Sequence, residues 1–554
     1  MKSAKIIRLA TPAIVLTLML LGLAGSPAAA PQAPTAQIKA AKQIKVPAAQ
    51  VRTAKQMAAA AALGPAAPSL PPRPKPFHTR LDAAAYRDLK AKPAPDRSRP
   101  APLAPQSSVP STPITSMVNF DGVTEDTAGG YYPPDTHGAV GRDYFAEVTN
   151  THLDIYLKAA PQTTVESIST EAWLGATPGY FTNPRMIYDP VYDRWIFLVT
   201  QLRTPGDPTH QYVFLAVSHT SDPTGDFYIY PIDVSDDAVS NNTHWDYPQL
   251  GLDHNAIIVT GDFFDLNTGS YVDSRMFPVP KSLLYSGQAF TLNLFTGLDG
   301  TLAPPIVLDE NPYSFLVTAD YLTYDNYVTL YALQGSGTDA PVVFTGYIPV
   351  PTFAPPPSAL QPGTGLVLDT LDARFANAST QVGDSLFQVH TINDHGYATP
   401  KFYEFDTLKK SVIQSGSFYG SPTSDDFNAS IAANRRKDVF VTWSSTDATN
   451  SVNAQVRFSG RLHNDPLGTI SGGSPLYGSA TYLTGEPSDW DPSVQRWGDY
   501  SAVSLDPADP SGSTAWLVNE YISTNDLWGS RIGRIRLPSQ LGATAAVNLL
   551  LLLD

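Results

Sequence analysis

The sequence predicts an all-β protein: a single β-propeller of seven four-stranded blades, with six or eight still open, behind a disordered basic linker. Three observations predict it. From Ile114 onward Tyr, Phe, Val and Thr become common, and short apolar runs alternate with Asp/Asn/Gly/Pro turns in a succession of hairpins. A loose polar-then-apolar motif recurs roughly every 50–70 residues, room for four short strands. The 554-residue chain has no Cys, so an exported body of about 425 residues must rest on a large core instead of disulfides.

Residues 1–28 read as a secretory signal peptide. Lys2, Lys5 and Arg8 precede an apolar run from Ala13 to Ala24, and small residues end at a cleavage site after Ala28. The run is shorter than the roughly 20 residues of a membrane span. Residues 29–113 read as a disordered Ala/Pro-rich basic linker. Residues 31–113 hold 13 Lys/Arg against 3 Asp/Glu, and segments such as Leu70-Pro71-Pro72-Arg73-Pro74-Lys75-Pro76 supply no core. Ala58 to Leu63 closes a helical turn or two with nothing nearby to pack on it. Such a tether suits contact with an anionic cell envelope. The body from Ile114 carries about −28 of the total charge of −15, which repels nucleic acid and argues against such a partner.

The propeller is expected over 114–538. Its repeat is clearest in Pro134-Asp135-Thr136-His137-Gly138-Ala139-Val140, Asn183-Pro184-Arg185-Met186, Asp246-Tyr247-Pro248-Gln249, Asp372-Ala373-Arg374-Phe375, Asp426-Phe427-Asn428-Ala429 and Arg496-Trp497-Gly498-Asp499-Tyr500. Each enters a strongly apolar strand. A weaker copy ends in Phe315-Leu316-Val317-Thr318. Residues 539–554 form an apolar tail ending in a run of five Leu, an anchor or partner contact, while Arg531 to Leu537 is the better closing strand.

Pro134-Asp135-Thr136-His137-Gly138-Ala139-Val140-Gly141, Asp189-Pro190-Val191-Tyr192-Asp193-Arg194-Trp195, Ser221-Asp222-Pro223-Thr224-Gly225 and the Arg496–Tyr500 run together resemble a group of large secreted bacterial propeller proteins across about residues 118–537. The resemblance implies a secreted propeller and brings no established reaction with it. The fold is also distantly similar to the sialidase-like superfamily. Its Ser-x-Asp-x-Gly-x-Thr-x-Trp box occurs here only in stretched form, at Ser504, Asp506, Gly512, Thr514 and Trp516, which puts sialidase activity in doubt.

A cyclic array sets equivalent residues on a ring. Asp135, His137, Arg185, Asp246, Tyr247, Arg374, Asn428, Arg496, Asp499 and Tyr500 are therefore expected to converge at the channel mouth and bind a ligand there. Three Arg could clamp an anionic sugar, two Asp could flank a glycosidic bond, and Tyr500 or His137 could abstract a proton. Propellers without activity carry similar rings, whose Arg and Asp simply fix the closure. The His residues show no zinc spacing, and no metal or other cofactor is expected beyond possible Ca²⁺ at Asp233, Asp236, Asp237, Asn241 and Asn242. Tyr131, Tyr132, Trp173, Tyr180, Trp245, Trp490 and Trp528 either stack on sugars or fill gaps between blades.

The leading reading is thus a monomeric, secreted or surface-bound bacterial propeller that binds an extracellular glycan or protein at the channel mouth. A polysaccharide-directed glycoside hydrolase or lyase using the Arg/Asp/Tyr ring is one alternative. A structural or adhesive module is the other.

Overall fold

The computed structural model describes residues 37–62, 83–91, 114–176, 179–203, 206–235, 243–319, 325–523 and 526–538, all within the unit Thr35–Asp554. The expected signal peptide and Leu-rich tail lie outside the described residues, as do Asp236, Asp237, Asn241 and Asn242 of the oxygen-rich loop.

The chain begins with β1 (Gln37–Lys39), β2 (Lys42–Val46), β3 (Gln50–Arg52), α1 (Ala54–Ala61) and α2 (Ala83–Ala91), followed by β4 (Thr115–Thr124). The remaining strands fall into seven successive groups. The first is β5 (His137–Val140), β6 (Tyr144–Val148), β7 (His152–Leu157) and β8 (Thr164–Ser169), leading into α3 (Thr170–Leu174). The second is β9 (Phe181–Asp189), β10 (Arg194–Gln201), β11 (Tyr212–Ser218) and β12 (Phe227–Asp233). The third runs β13 (Thr243–Leu252), β14 (Ala256–Asp265), β15 (Tyr271–Pro280), the short α4 (Lys281–Leu284) and β16 (Phe290–Leu298). The fourth holds β17 (Pro305–Val307), β18 (Tyr313–Ala319), β19 (Asp325–Gln334) and β20 (Val342–Phe353), after which come β21 (Ala359–Leu360) and β22 (Val367–Leu368). The fifth is β23 (Ser379–Val382), β24 (Ser385–Asp394), β25 (Tyr397–Asp406) and β26 (Ser411–Ser417). The sixth is β27 (Asp425–Ala433), β28 (Val439–Asp447), β29 (Val452–Arg461) and β30 (Ser474–Gly478), followed by β31 (Val494–Gln495). The seventh comprises β32 (Ala502–Leu505), β33 (Thr514–Ile522) and β34 (Trp528–Arg536).

Within groups the pairing is antiparallel and sequential, except that β17 pairs outside its group, the pattern of a β-meander and of a propeller-like, nearly all-β architecture. The first strands are also close to one another: β17 pairs in parallel with β13 at Leu252↔Ile306 and with β23 over Pro305–Val307. In the seventh group the outermost strand is β4, which pairs with β34 from Thr115↔Arg536 to Thr124↔Gly529. The Arg531–Leu537 segment expected to close the sheet therefore lies one strand further in. Large aromatic side chains fill the spaces between sheets. Trp195, Trp443 and Trp516 are fully buried, and Trp516 Nε1 donates to Asp506 Oδ2 at 3.0 Å, so the stretched box still ties its Asp to its Trp. Trp173, Trp245, Trp490, Trp528 and Tyr131 are also buried as packing residues, whereas Tyr132 and Tyr180 are half-buried.

The segment 29–113, expected to be disordered, is corrected where it is described. β1 pairs with β20, β2 with β16 and β3 with β12, so three consecutive pieces extend three different sheets at their outer edges. The physical reason is local alternation: in Lys42–Val46, Ile44 packs toward the core and Val46 is buried, while Gln43 and Lys45 are exposed on the other face, which suffices for an edge strand. α1 also has a partner. Thr53 caps it, its Oγ1 accepting from Gln56 N at 3.3 Å while Gln56 Oε1 accepts from Thr53 N at 2.9 Å. Met57 is fully buried in the cluster holding Trp173. Among the described residues no helix is long and apolar enough to cross a membrane.

Candidate functional site

The polar repeat marks a backbone device. Asn183, Tyr247 and Asn428 have φ of 60°, 54° and 50°, and each sits where its first strand slips register against the second. Two residues then oppose one, a β-bulge that tilts the strand entry toward the axis. Asp135 has the same left-handed φ, 51°, just before β5. Asn and Asp tolerate this conformation best after Gly, so their recurrence at strand entries follows from backbone geometry.

The ten predicted residues do come together. Asp135 Oδ1 accepts from Asp499 N at 2.9 Å, and its Oδ2 accepts from Asn150 Nδ2 at 3.0 Å. Asn183 Nδ2 donates to Asp246 Oδ1 at 2.7 Å while its Oδ1 accepts from the Tyr500 hydroxyl at 2.8 Å. The Arg185 guanidinium lies 3.3 Å over the Tyr500 ring and donates to the Pro248 and Ala376 carbonyls and to Asn377 Oδ1. Tyr247 packs edge-on against Tyr500, with ring centroids 5.1 Å apart, and Arg374 stands 4.3 Å over its other side. Arg374 makes a bidentate pair with Asp372 at 2.8 and 2.7 Å. Arg496 reaches Asp499 at 3.1 Å and Asp369 at 3.2 Å. Asn428 donates to the Gly498 and Tyr500 carbonyls, and His137 Nδ1 accepts from Met186 N at 3.2 Å.

The expected position at an open mouth is corrected. All ten side chains are buried, Asp135, Arg496 and Tyr500 completely, and each guanidinium is engaged by carboxylates, carbonyls or rings of the protein itself. The cause is the bulge, which folds the strand entries inward onto one another. Burial raises the Tyr247 and Tyr500 phenols well above their usual range, although Arg185 and, for Tyr247, Arg374 pull back. Burial, then the charge of Arg185, holds His137 well below the usual imidazole range, so it stays neutral as an acceptor. Burial opposes the charge on Arg496, but Asp499, Asp369 and Asp135 outweigh it and raise its proton affinity.

Several residues were missed in the sequence. Lys90 on α2 is buried against this network, its Nζ donating to Thr370 Oγ1 at 2.7 Å and to the Leu371 carbonyl. Burial lowers it to about 8, against the attraction of Asp369, Asp372 and Asp425. Glu486 and Glu520 are buried beside the ring, and both are pushed well upward by burial and by neighbouring acids, Glu125 included. Glu520 Oε2 accepts from Gly498 N at 2.6 Å. These acids stand in no repeat, and no signal in the sequence marked them.

The open space is at the other end of the first strands. A funnel of about 620 Å³ is lined by residues from all seven strand groups. Its walls are aliphatic, with Val140, Ile187, Leu252, Ile306, Leu308, Ile431, Val503 and Leu505. Its rim carries both signs, with Glu310 and Arg435 exposed and Lys281 paired to Asp189 at 2.6 Å. Of the ten predicted residues, His137 alone is among its lining residues.

No family model and no curated protein matches the chain. Among solved structures it is similar to hydrazine synthase of Kuenenia stuttgartiensis, at 8% identity and TM-score 0.24 over 69% of this chain and 73% of that one. An exo-β-1,3-galactanase from Phanerochaete chrysosporium matches at 10% identity and TM-score 0.29, over 59% and 80%. A Trypanosoma rangeli sialidase mutant displaying trans-sialidase activity matches at 9% identity and TM-score 0.31, over 68% and 56%. Likenesses this weak carry no argument about what the chain does.

Proposed function

We propose that this chain is a secreted or cell-surface binding protein. Its seven strand groups are the blades of one propeller, closed by β4 on β34, and its funnel takes up an extracellular ligand without chemistry. The observation that carries this reading is the funnel: about 620 Å³, within the roughly 300–1,000 Å³ of ligand sites, with aliphatic side chains from several strands beside charged and polar ones in its lining. Aliphatic walls favour an apolar segment of a protein over a sugar ring, which stacks on aromatic faces. The order of basic, apolar and small residues over 1–28 supports export. Catalysis by the Arg/Asp/Tyr ring has less support, because all ten of its side chains are buried and most of their polar groups are engaged within the protein.

The test is to pan a phage-displayed peptide library and a glycan array on the immobilised protein, then repeat with Leu308→Arg and Val503→Arg, two half-buried wall positions. Apolar peptides should be enriched, and each substitution should weaken their binding about tenfold or more with an unchanged melting temperature. Binding indifferent to both substitutions would overturn the funnel as the site. Capture of glycans alone would replace the protein ligand by a sugar.

A second reading, a polysaccharide hydrolase or lyase, is favoured by one observation: Glu125, Glu486 and Glu520 neighbour one another, and burial raises all three, the situation of carboxyls that serve as general acids. Release of sugar from acidic polymers by the wild type, lost in Glu486→Gln, would establish it.

A further inference from the structure

α2 is docked on the face opposite the funnel, over the small sheet formed by β21, β22 and β31. Tyr86 and Lys90, four residues apart, share one side of the helix. Tyr86 is fully buried, its ring edge-on to Trp490 at 4.9 Å in a cluster with Val494 and Val367. At the margin Arg87 pairs with Asp491 at 3.2 Å.

The Lys90 pocket belongs to the body and is braced by the body alone. Asp369 is held by Arg496 and accepts from Leu371 N at 3.0 Å. Asp372 is held by Arg374, and the Thr370 hydroxyl donates to the Pro357 carbonyl at 2.8 Å. Asp369, Asp372 and Asp425 lie close enough to attract the Lys90 ammonium, whose charge burial otherwise disfavours. An ammonium is buried to this degree only where carboxylates and oxygen acceptors receive it. An aromatic slot beside an ammonium cradle, both built from residues of the body, has the form of a recognition site.

We propose that this pocket recognises a peptide segment of the form Tyr-x-x-x-Lys, that α2 fills it in cis as a tethered plug, and that displacing α2 opens it to such a segment of a partner protein. The site lies at the opposite end from the funnel and does not depend on the funnel's role. A tether holds its ligand at an effective concentration of order millimolar, so an added peptide competes poorly until the plug is weakened.

The test uses the full chain with the double substitution Tyr86→Ala and Lys90→Ala, and a fluorescent peptide of residues 83–91. Fluorescence anisotropy should show saturable binding to the variant at least about tenfold tighter than to the wild type. The same peptide carrying Lys90→Met should not bind. A variant that melts like the wild type yet binds neither peptide, or binds both equally, would overturn the proposal. Native-state hydrogen exchange on the unmodified chain decides the matter even if the variant fails to fold. α2 amides should exchange faster than those of β24 and β25, and faster still with excess peptide. Protection of α2 equal to the sheets would make it a fixed part of the core and refute the plug.

Discussion

Glu147 offers a quantitative test of how the first and seventh strand groups are joined. Its side chain lies on β6, fully buried, and accepts from Val123 N on β4 at 3.0 Å, from the Thr136 hydroxyl at 3.0 Å and from the Tyr156 hydroxyl at 3.1 Å. Burial, reinforced by Asp154, pushes its carboxyl from 4.5 to about 7, although Ser530, Val123 and Thr136 counter part of the rise. Below pH 4.5 the group is protonated both folded and unfolded, and its full contribution to stability is present. As pH rises the unfolded chain gives up the proton first, and that contribution is lost progressively until the folded carboxyl ionises near 7. At about 1.4 kcal/mol per tenfold change in proton affinity, the loss between pH 4.5 and 7 is about 3 kcal/mol. Glu147→Gln has the shape of the protonated acid and does not ionise. Urea midpoints of wild type and variant, taken from pH 4.5 to 8, should therefore diverge: near equality at the acid end, and a variant more stable by about 3 kcal/mol at pH 8. Acids that do not interact with Glu147, such as Glu125, titrate alike in both proteins and cancel in the difference. Two parallel curves would refute the reasoning, since they would mean that Glu147 is hydrated or ionised in the folded state.

Three further outcomes are expected. Arg496→Ala leaves Asp369 and Asp499 buried without their partner and should cost about 3–5 kcal/mol, whereas Arg435→Ala on the exposed rim should stay within about 0.5 kcal/mol, both read from chemical denaturation. Trp443→Ala should cost about 3–5 kcal/mol through its cavity; Trp443→Phe should cost about 1–3 kcal/mol, because Asp426 Oδ1 loses the indole N–H at 2.8 Å. Gly122→Ala would set its Cβ 2.2 Å from Glu147 Oε2 and 2.4 Å from Ser530 Oγ, pushing β4 away. It should cost about 1–3 kcal/mol and speed amide exchange in β34 while leaving β10 and β11 unchanged, measured by hydrogen exchange with mass spectrometry.

The legible and illegible parts of this chain separate by the length scale of their signals. Strand content was legible because each apolar run, such as Trp195–Thr200 or Val439–Trp443, states its own burial. The recurrence of Asp135, Asn183 and Asn428 was legible too, as the mark of equivalent strand entries. Its meaning was not, because one feature has two physical causes. Asx residues gather where ligands need polar groups, and equally where a bulge needs φ near +55°, and only backbone geometry separates the two. The edge strands failed for the opposite reason. An edge strand has a sheet neighbour on one side only, so Lys42-Gln43-Ile44-Lys45-Val46 needs just two inward residues, and these vanish when composition is averaged over a proline-rich stretch. α2 was hidden more deeply. Its Tyr86 and Lys90 read as ordinary members of a basic linker, and nothing local shows that Asp369, Asp372 and Asp425, some three hundred residues away, come to lie near Lys90. A segment whose partners are that remote is recognisable only from the cavity it fills. The same holds for the funnel, whose lining comes from seven separate stretches of sequence. Both sites therefore arise from the packing of segments remote in sequence, and the residues that looked most chemical are largely engaged with one another.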